Sequence, residues 1–246
     1  MSLTTEYFNE TYRNLFEKTF HVFRDRIKNT KNAQEKYCMF YPTVGLNYQM
    51  KQGFLLVGRA TNGWTPAFDC INEYPKFMKE CSEYSKMELV SGKCPLQWVD
   101  EKLEEANDKI VANRSPFFQV GKAVIQNLYP ATKDVWTHNV SWSNLYKIAP
   151  AEGGNPSTTD CDAQWPGVKY LFEMEVEQLQ PKYILIISGT EWSKDFIGSL
   201  EKYNGKYVEE IGWYKGAKVV VCSRPEQKPR GEFIEEVLQA FSGIAE

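Results

Sequence analysis

The sequence predicts an α/β fold with a mostly parallel sheet and helices on both of its faces. Three observations carry that prediction. First, residues 54–57 (Phe-Leu-Leu-Val), 183–187 (Tyr-Ile-Leu-Ile-Ile) and 219–221 (Val-Val-Val) are apolar without interruption. Such runs belong to strands covered on both faces, not to half-exposed strands that alternate. Second, each run gives way to glycine or a polar loop: Gly58, Gly189 and the stretch 223–230. Third, segments of helical period lie between them, and buried strands alternating with helices build parallel sheets.

The stretch 53–64, Gly-Phe-Leu-Leu-Val-Gly-Arg-Ala-Thr-Asn-Gly-Trp, organises the rest. A buried strand ends there in a loop. In open α/β sheets ligands bind just beyond the carboxyl ends of the strands. The alternative is a plain strand-to-helix turn, since glycines mark backbone geometry before chemistry.

The elements follow in order. Phe8, Tyr12, Leu15, Phe16, Phe20 and Phe23 recur at three and four residues, so 4–28 is a helix with one apolar face. The polar run 29–35 breaks it, and 37–45, with Pro42 and Gly45, reads as a loop. Residues 65–112 are charged and lack strand alternation. Within them 74–96 reads as an irregular surface insertion and 99–111 as a helix. Ser115-Pro116 starts the next helix, with Ser115 as the cap, and Pro130 stops it. Residues 135–146 read as extended and 150–159 as a loop. Asp160 or Asp162 is the expected cap of a helix over 165–180, which Pro181 ends. Thr190 is the expected cap of a helix over 191–200. Residues 207–213 and 218–222 form two strands joined by a turn. The last helix covers 232–241.

Composition bounds the class. With 42% hydrophobic and 25% charged residues the chain is globular, neither disordered nor fibrous. A net charge of -3 exerts no global pull on nucleic acid, although a local basic face stays open. No apolar run reaches membrane-spanning length. The N-terminus lacks the regions of a signal peptide, so the expected location is cytoplasmic. The six cysteines, Cys38, Cys70, Cys81, Cys94, Cys161 and Cys222, form no Cys-x-x-Cys pair. A metal or iron–sulfur site from Cys70, Cys81, Cys94 and Cys161 fits no known spacing, so reduced thiols and no cofactor are expected. The expected organisation is a single domain over 1–246, with an N-terminal helical extension over about 1–45 and an insertion over about 70–112. Three strand ends deliver polar loops, 58–64, 144–147 and 223–230, which a parallel sheet brings to one edge.

The order of these pieces resembles the uracil-DNA glycosylase superfamily. Leu55-Leu-Val-Gly-Arg-Ala-Thr-Asn62 stands where that superfamily carries its water-activating motif. Trp142-Ser-Asn-Leu-Tyr-Lys-Ile-Ala-Pro150 is similar to its "T-N-x-x-K-x-x-P" segment. Glu177-Gln-Leu-Gln-Pro-Lys-Tyr-Ile-Leu-Ile-Ile-Ser-Gly189 is similar to "L-x-x-L-x-P-x-x-I-x-x-L-G". Val221-Cys-Ser-Arg-Pro-Glu226 lies where the family has its "H-P-S" DNA-contacting loop. The resemblance spans residue 53 to the C-terminus.

It implies a three-layer α/β/α sandwich with a short, mostly parallel central sheet. It also implies a pocket for a base flipped out of nucleic acid, because the atom to be attacked is hidden in the duplex. By position, Asn144 is the base-reading amide, whose acceptor and donors match an imide edge. Gly58, Arg59, Ala60 and Thr61 line the base site, and Trp64 or Phe68 stacks on the base. Ser223, Arg224, Gln227, Lys228 and Arg230 meet nucleic acid. The family's first loop supplies a carboxylate or Asn that activates water. Here Arg59 and Ala60 fill those slots, and neither is a base. Asn62 and Asp69 are the remaining catalytic candidates, and Arg224 replaces the family's terminal His. His138 lies upstream of the matched segment.

Two functional readings stay open, beside that of an unrelated α/β protein that shares only the strand–glycine patterns. One is a DNA-repair hydrolase that cleaves the N-glycosidic bond of a damaged or deaminated base, with DNA as partner. The other is a catalytically inactive nucleotide or nucleic-acid binding protein on the same fold, with the Arg59 and Arg224 cations favouring phosphate.

Overall fold

The computed structural model describes residues 8–61, 67–73, 94–99 and 115–245, apart from the side chains of 132–134. It is a mixed α/β structure. The chain divides into two compact units, each assembled from three segments. The first comprises Met1–Pro42, Arg59–Ser91 and Asn144–Gln178. The second comprises Thr43–Gly58, Gly92–Ser143 and Leu179–Glu246.

The second unit holds the expected buried strands. Its seven-stranded sheet runs β2 (Thr43–Val44), β5 (Val140–Asn144), β3 (Phe54–Gly58), β7 (Tyr183–Ile187), β10 (Ala217–Cys222), β9 (Val208–Tyr214) and β8 (Glu201–Lys202). β3 and β10 both pair with β7 in parallel, with Val57 opposite Ile186 and Cys222 opposite Ile187. β9 lies antiparallel to β10, β8 to β9, and β2 to β5. The sheet is therefore mixed, longer and less parallel than expected. The two-residue strands β2 and β8 sit at its edges and carry no apolar run to betray them.

Side-chain alternation shows how this sheet is covered. Phe54 packs edge-on against Phe241 of α6 (Arg230–Gly243), and Leu56, two residues on, meets Gly121 of α2 (Pro116–Leu128). A Cβ on Gly121 would come within 2.6 Å of Leu56 Cδ2, so the missing side chain lets the helix approach. On β9, Trp213 faces the end of α6, where its indole N–H donates to the Ala245 carbonyl. Its neighbour Tyr214 points the other way and donates to Phe196 of α5 (Thr190–Ile197). Helices thus cover both faces, which is why β3, β7 and β10 need apolar residues throughout. Each large apolar side chain buried on these three strands contributes roughly 1.5–3 kcal/mol.

The first unit holds α1 (Glu10–Ile27), α3 (Thr158–Gln164), α4 (Gly167–Leu179) and an antiparallel sheet ordered β4 (Phe68–Asp69), β1 (Lys36–Met39), β6 (Ile148–Pro150). Asn9 caps α1 by accepting from the Tyr12 N–H. The aromatic face of α1 is core: Tyr12, Phe16, Phe20 and Phe23 are buried, and Tyr41 sets its edge against Phe8, Tyr12 and Phe16.

Several local expectations are corrected. Residues 37–45 contain β1 and β2 rather than loop alone. Residues 135–139 belong to a 3-10 stretch, Pro130–Asn139, so the strand begins only at Val140. Ser115 stands at the N-cap of α2 but makes no capping hydrogen bond. The expected helix over 165–180 begins at Gly167, and a separate helix, α3, precedes it. Ser157 caps α3, with Asp160 completing a capping box from the third position. Gly189, at φ 82, takes the cap of α5 in place of Thr190, because that backbone conformation suits glycine. Cys94, Leu96 and Val99 are buried, so this end of the expected surface insertion is core. The expected helix over 99–111 lies outside the described residues beyond Val99. No helix among the described residues is long and apolar enough to cross a membrane.

Candidate functional site

Two of the three expected loops are joined by a direct bond. β3 ends at Gly58 and the chain continues through Arg59, Ala60 and Thr61. The Tyr146 N–H donates to the Arg59 carbonyl at 3.0 Å, which ties 59–61 to 144–147. Thr61 is only 1% exposed, and its Oγ1 has no hydrogen-bond partner among the described residues. A buried hydroxyl left unsatisfied costs about 1–3 kcal/mol. Gly58 is fully buried at the strand end, while Arg59 and Ala60 are half-buried.

The 144–147 loop is built around buried polar groups. Asn144 is 2% exposed, and Lys147 is fully buried. The Lys147 ammonium donates to the Asn144 carbonyl at 2.6 Å and pairs with the Glu175 carboxylate of α4 at 2.8 Å. The Tyr12 hydroxyl of α1 donates to the same carboxylate at 2.7 Å. Burial lowers the pKa of Lys147, with Glu175 opposing that shift. Burial first and Glu175 second push Tyr12 well above the usual phenol value, so it remains a donor. Gln164 of α3 fixes the far side. Its Oε1 accepts from the Lys147 and Ile148 N–H groups, and its Nε2 donates to the Ile148 and Asp160 carbonyls. Asp160, itself buried, accepts from Asn32, Tyr37 and Ser157. The backbone beside Asn144 is therefore held from α1, α3 and α4 together.

The second unit presents its own edge. Gly58, Ile187 and Cys222 end three parallel strands at one level, and the Gly189 N–H donates to the Cys222 carbonyl. β5 follows β3 in sequence but lies on the far side of it from β7. The order therefore reverses at β3, and such a switch point is where α/β sheets place ligands. The first N–H of α5, on Thr190, is taken by the Glu209 carboxylate at 2.7 Å. In the third loop Ser223 donates to the Tyr207 carbonyl and accepts from Lys228. The exposed Arg224 pairs with Glu226, which offsets its charge locally. Gln227, at φ 61, and Arg230, at the start of α6, are exposed.

The remaining candidates divide. Asn62 and Trp64 lie outside the described residues. Phe68 is 3% exposed in β4, opposite Tyr37, where packing already occupies its ring. Asp69 forms a local turn: its carboxylate accepts from the Ile71 and Asn72 N–H groups and from the Asn72 side chain. Those bonds, Asn72's first, hold its pKa below the usual carboxylate value, which makes it a weak base. His138 precedes β5 and Asn144 ends it, so a strand of about 17 Å separates them. Among the described residues no three His, Cys, Asp or Glu side chains gather to hold a metal ion.

Sequence reasoning missed Glu175, Tyr12 and Gln164 as parts of this arrangement. Lys147 stood in the segment similar to "T-N-x-x-K-x-x-P", but nothing in the sequence pointed to its partner 28 residues on. Neither a protein-family model nor a curated protein matches the chain.

Proposed function

We propose that this chain is a divergent uracil-DNA glycosylase-like protein, on a three-layer α/β/α sandwich, that recognises a nucleobase in nucleic acid through Asn144. The bond between Tyr146 and Arg59 carries the reading, because it joins the two loops that the resemblance assigns to the base. Asn144 supplies an amide for the base edge, and Thr61 supplies a buried hydroxyl that lacks a partner among the described residues. Arg224, Gln227 and Arg230 are exposed and meet phosphate, with Ser223 and Lys228 shaping the loop.

A second reading, recognition without cleavage, has its own support. Arg59 and Ala60 occupy the water-activating slots, and the Asp69 carboxylate is engaged in its own turn. The bond to be cleaved breaks through a cation-like sugar, so electrostatic positioning alone can still accelerate it.

The two readings separate in a glycosylase assay on single- and double-stranded DNA containing uracil or hypoxanthine. Cleavage by the wild type that is lost in Asn62→Ala/Asp69→Ala establishes the hydrolase. Salt-sensitive binding without cleavage establishes the binding protein. Neither cleavage nor binding at low salt removes both.

A further inference from the structure

Among the described residues of the first unit is a lysine ammonium, Lys147, with no exposure to water. Burying a charged pair needs excellent geometry and further hydrogen bonds, and apolar residues of similar volume often serve stability as well or better. A fold that needed only stability has no call for Lys147 and Glu175. What the pair adds is direction. Lys147 spends one donor on the Asn144 carbonyl at 2.6 Å and another on Glu175. Glu175 is in turn held by the Tyr12 hydroxyl from α1. A relay thus runs from Tyr12 of α1 through Glu175 of α4 and Lys147 to one backbone carbonyl, that of Asn144.

We propose that the buried chain Tyr12–Glu175–Lys147 is a positioning device for Asn144. This rests on the reading of Asn144 as the base-recognising amide. Lys147 and Glu175 touch no ligand themselves. They fix the peptide after β5, and with it the direction from which the Asn144 amide meets the base edge. Gln164 completes the device by holding the Lys147 and Ile148 N–H groups, so the loop is clamped on both sides of Tyr146.

Removing Lys147 alone also leaves Glu175 buried without its cation, so Lys147→Met confuses folding with positioning. The discriminating variant is Tyr12→Phe/Lys147→Met/Glu175→Leu, which replaces the whole chain with apolar groups. Binding of a uracil-containing single-stranded oligonucleotide is measured for the wild type, Asn144→Ala and the triple variant, alongside thermal unfolding. The expected result is a triple variant that unfolds near the wild-type temperature yet binds at least tenfold more weakly. Wild-type affinity in a folded triple variant would overturn the device.

A second readout does not depend on the ligand. The carbonyl carbon-13 shift of Asn144 and the exchange of its side-chain amide protons are followed by NMR in the wild type and in Tyr12→Phe. The device predicts that both change when that one hydroxyl is removed. Unchanged values would refute it, even if the wild type binds no oligonucleotide. Wild-type failure to bind together with a changed Asn144 signal would overturn the base-reading role and leave the clamp standing.

Discussion

Different physics stabilises each of the two units internally. In the second unit β3, β7 and β10 bury almost every side chain, and their neighbours are apolar. In the first, the loop after β5 is held by a buried ion pair, and the turn before α3 by a buried carboxylate with four donated bonds. Apolar burial is non-directional and tolerates small shifts. A buried polar network fixes atoms in place but is costly when one member is lost. The buried polar network of the first unit is the one that holds the Asn144 carbonyl.

That contrast predicts the largest effect at Lys147. Lys147→Met should cost about 3–5 kcal/mol, because it strands a buried carboxylate. Urea unfolding at pH 7 checks it. The comparison sharpens if replacing Tyr12 and Glu175 as well recovers most of that loss, since the polar network can be removed as a whole. Leu185→Ala, in the middle of β7, should cost about 3 kcal/mol through lost burial and a cavity. A loss at Leu185 that a substitution in the first unit repaired would break the distinction.

The response to pH is a further test. Burial raises the thiols of Cys70 and Cys161 to about 11, and that of Cys222 further, from an ordinary value of 9.0. A group whose pKa rises on folding holds an extra proton in the native state between its two pKa values. Stability from these thiols is therefore complete below pH 9 and is lost as pH climbs toward and past 11. Tyr12, Tyr37 and Tyr129, also raised by burial, add to the loss above pH 10. Lys147 has the opposite sign: its lowered pKa makes its contribution grow as pH rises toward 10.5. Among the described residues the buried thiols and phenols outnumber Lys147, which predicts a fall in melting temperature that begins near pH 9. Cys222→Val should flatten that fall.

The smallest effect belongs to Arg224. Its exposed pairing with Glu226 is of the kind worth roughly 0–1 kcal/mol, so Arg224→Ala should leave stability nearly unchanged. Its effect should appear instead in the salt dependence of oligonucleotide binding, as a shallower slope.

The difference between the units also decides what could be read in advance. The runs 54–57, 183–187 and 219–221 announced their strands because burial on both faces leaves a local mark. The aromatic period of α1 did the same. β1, β4 and β8 left no such mark, because each is too short to carry an apolar run. Gly58, Arg59, Thr61 and Asn144 are candidates by position in the resembling segments, and the bond between Tyr146 and Arg59 joins two of those segments. Glu175 and Tyr12 were not legible, because each looks like any other residue of an amphipathic helix until α1 and α4 meet. Asp160 was expected as a cap of the following helix, yet it completes the capping box of α3, and two of its four bonds come from Asn32 and Tyr37, more than a hundred residues away.

The most direct test of the central claim is the affinity of the wild type and of Asn144→Ala for a uracil-containing oligonucleotide, against the same oligonucleotide with thymine in place of uracil. The prediction is that the wild type prefers uracil, and that Asn144→Ala loses the preference while its melting temperature stays within a few degrees. Equal affinity for both oligonucleotides, or an unchanged preference in Asn144→Ala, would contradict the claim that Asn144 reads a base.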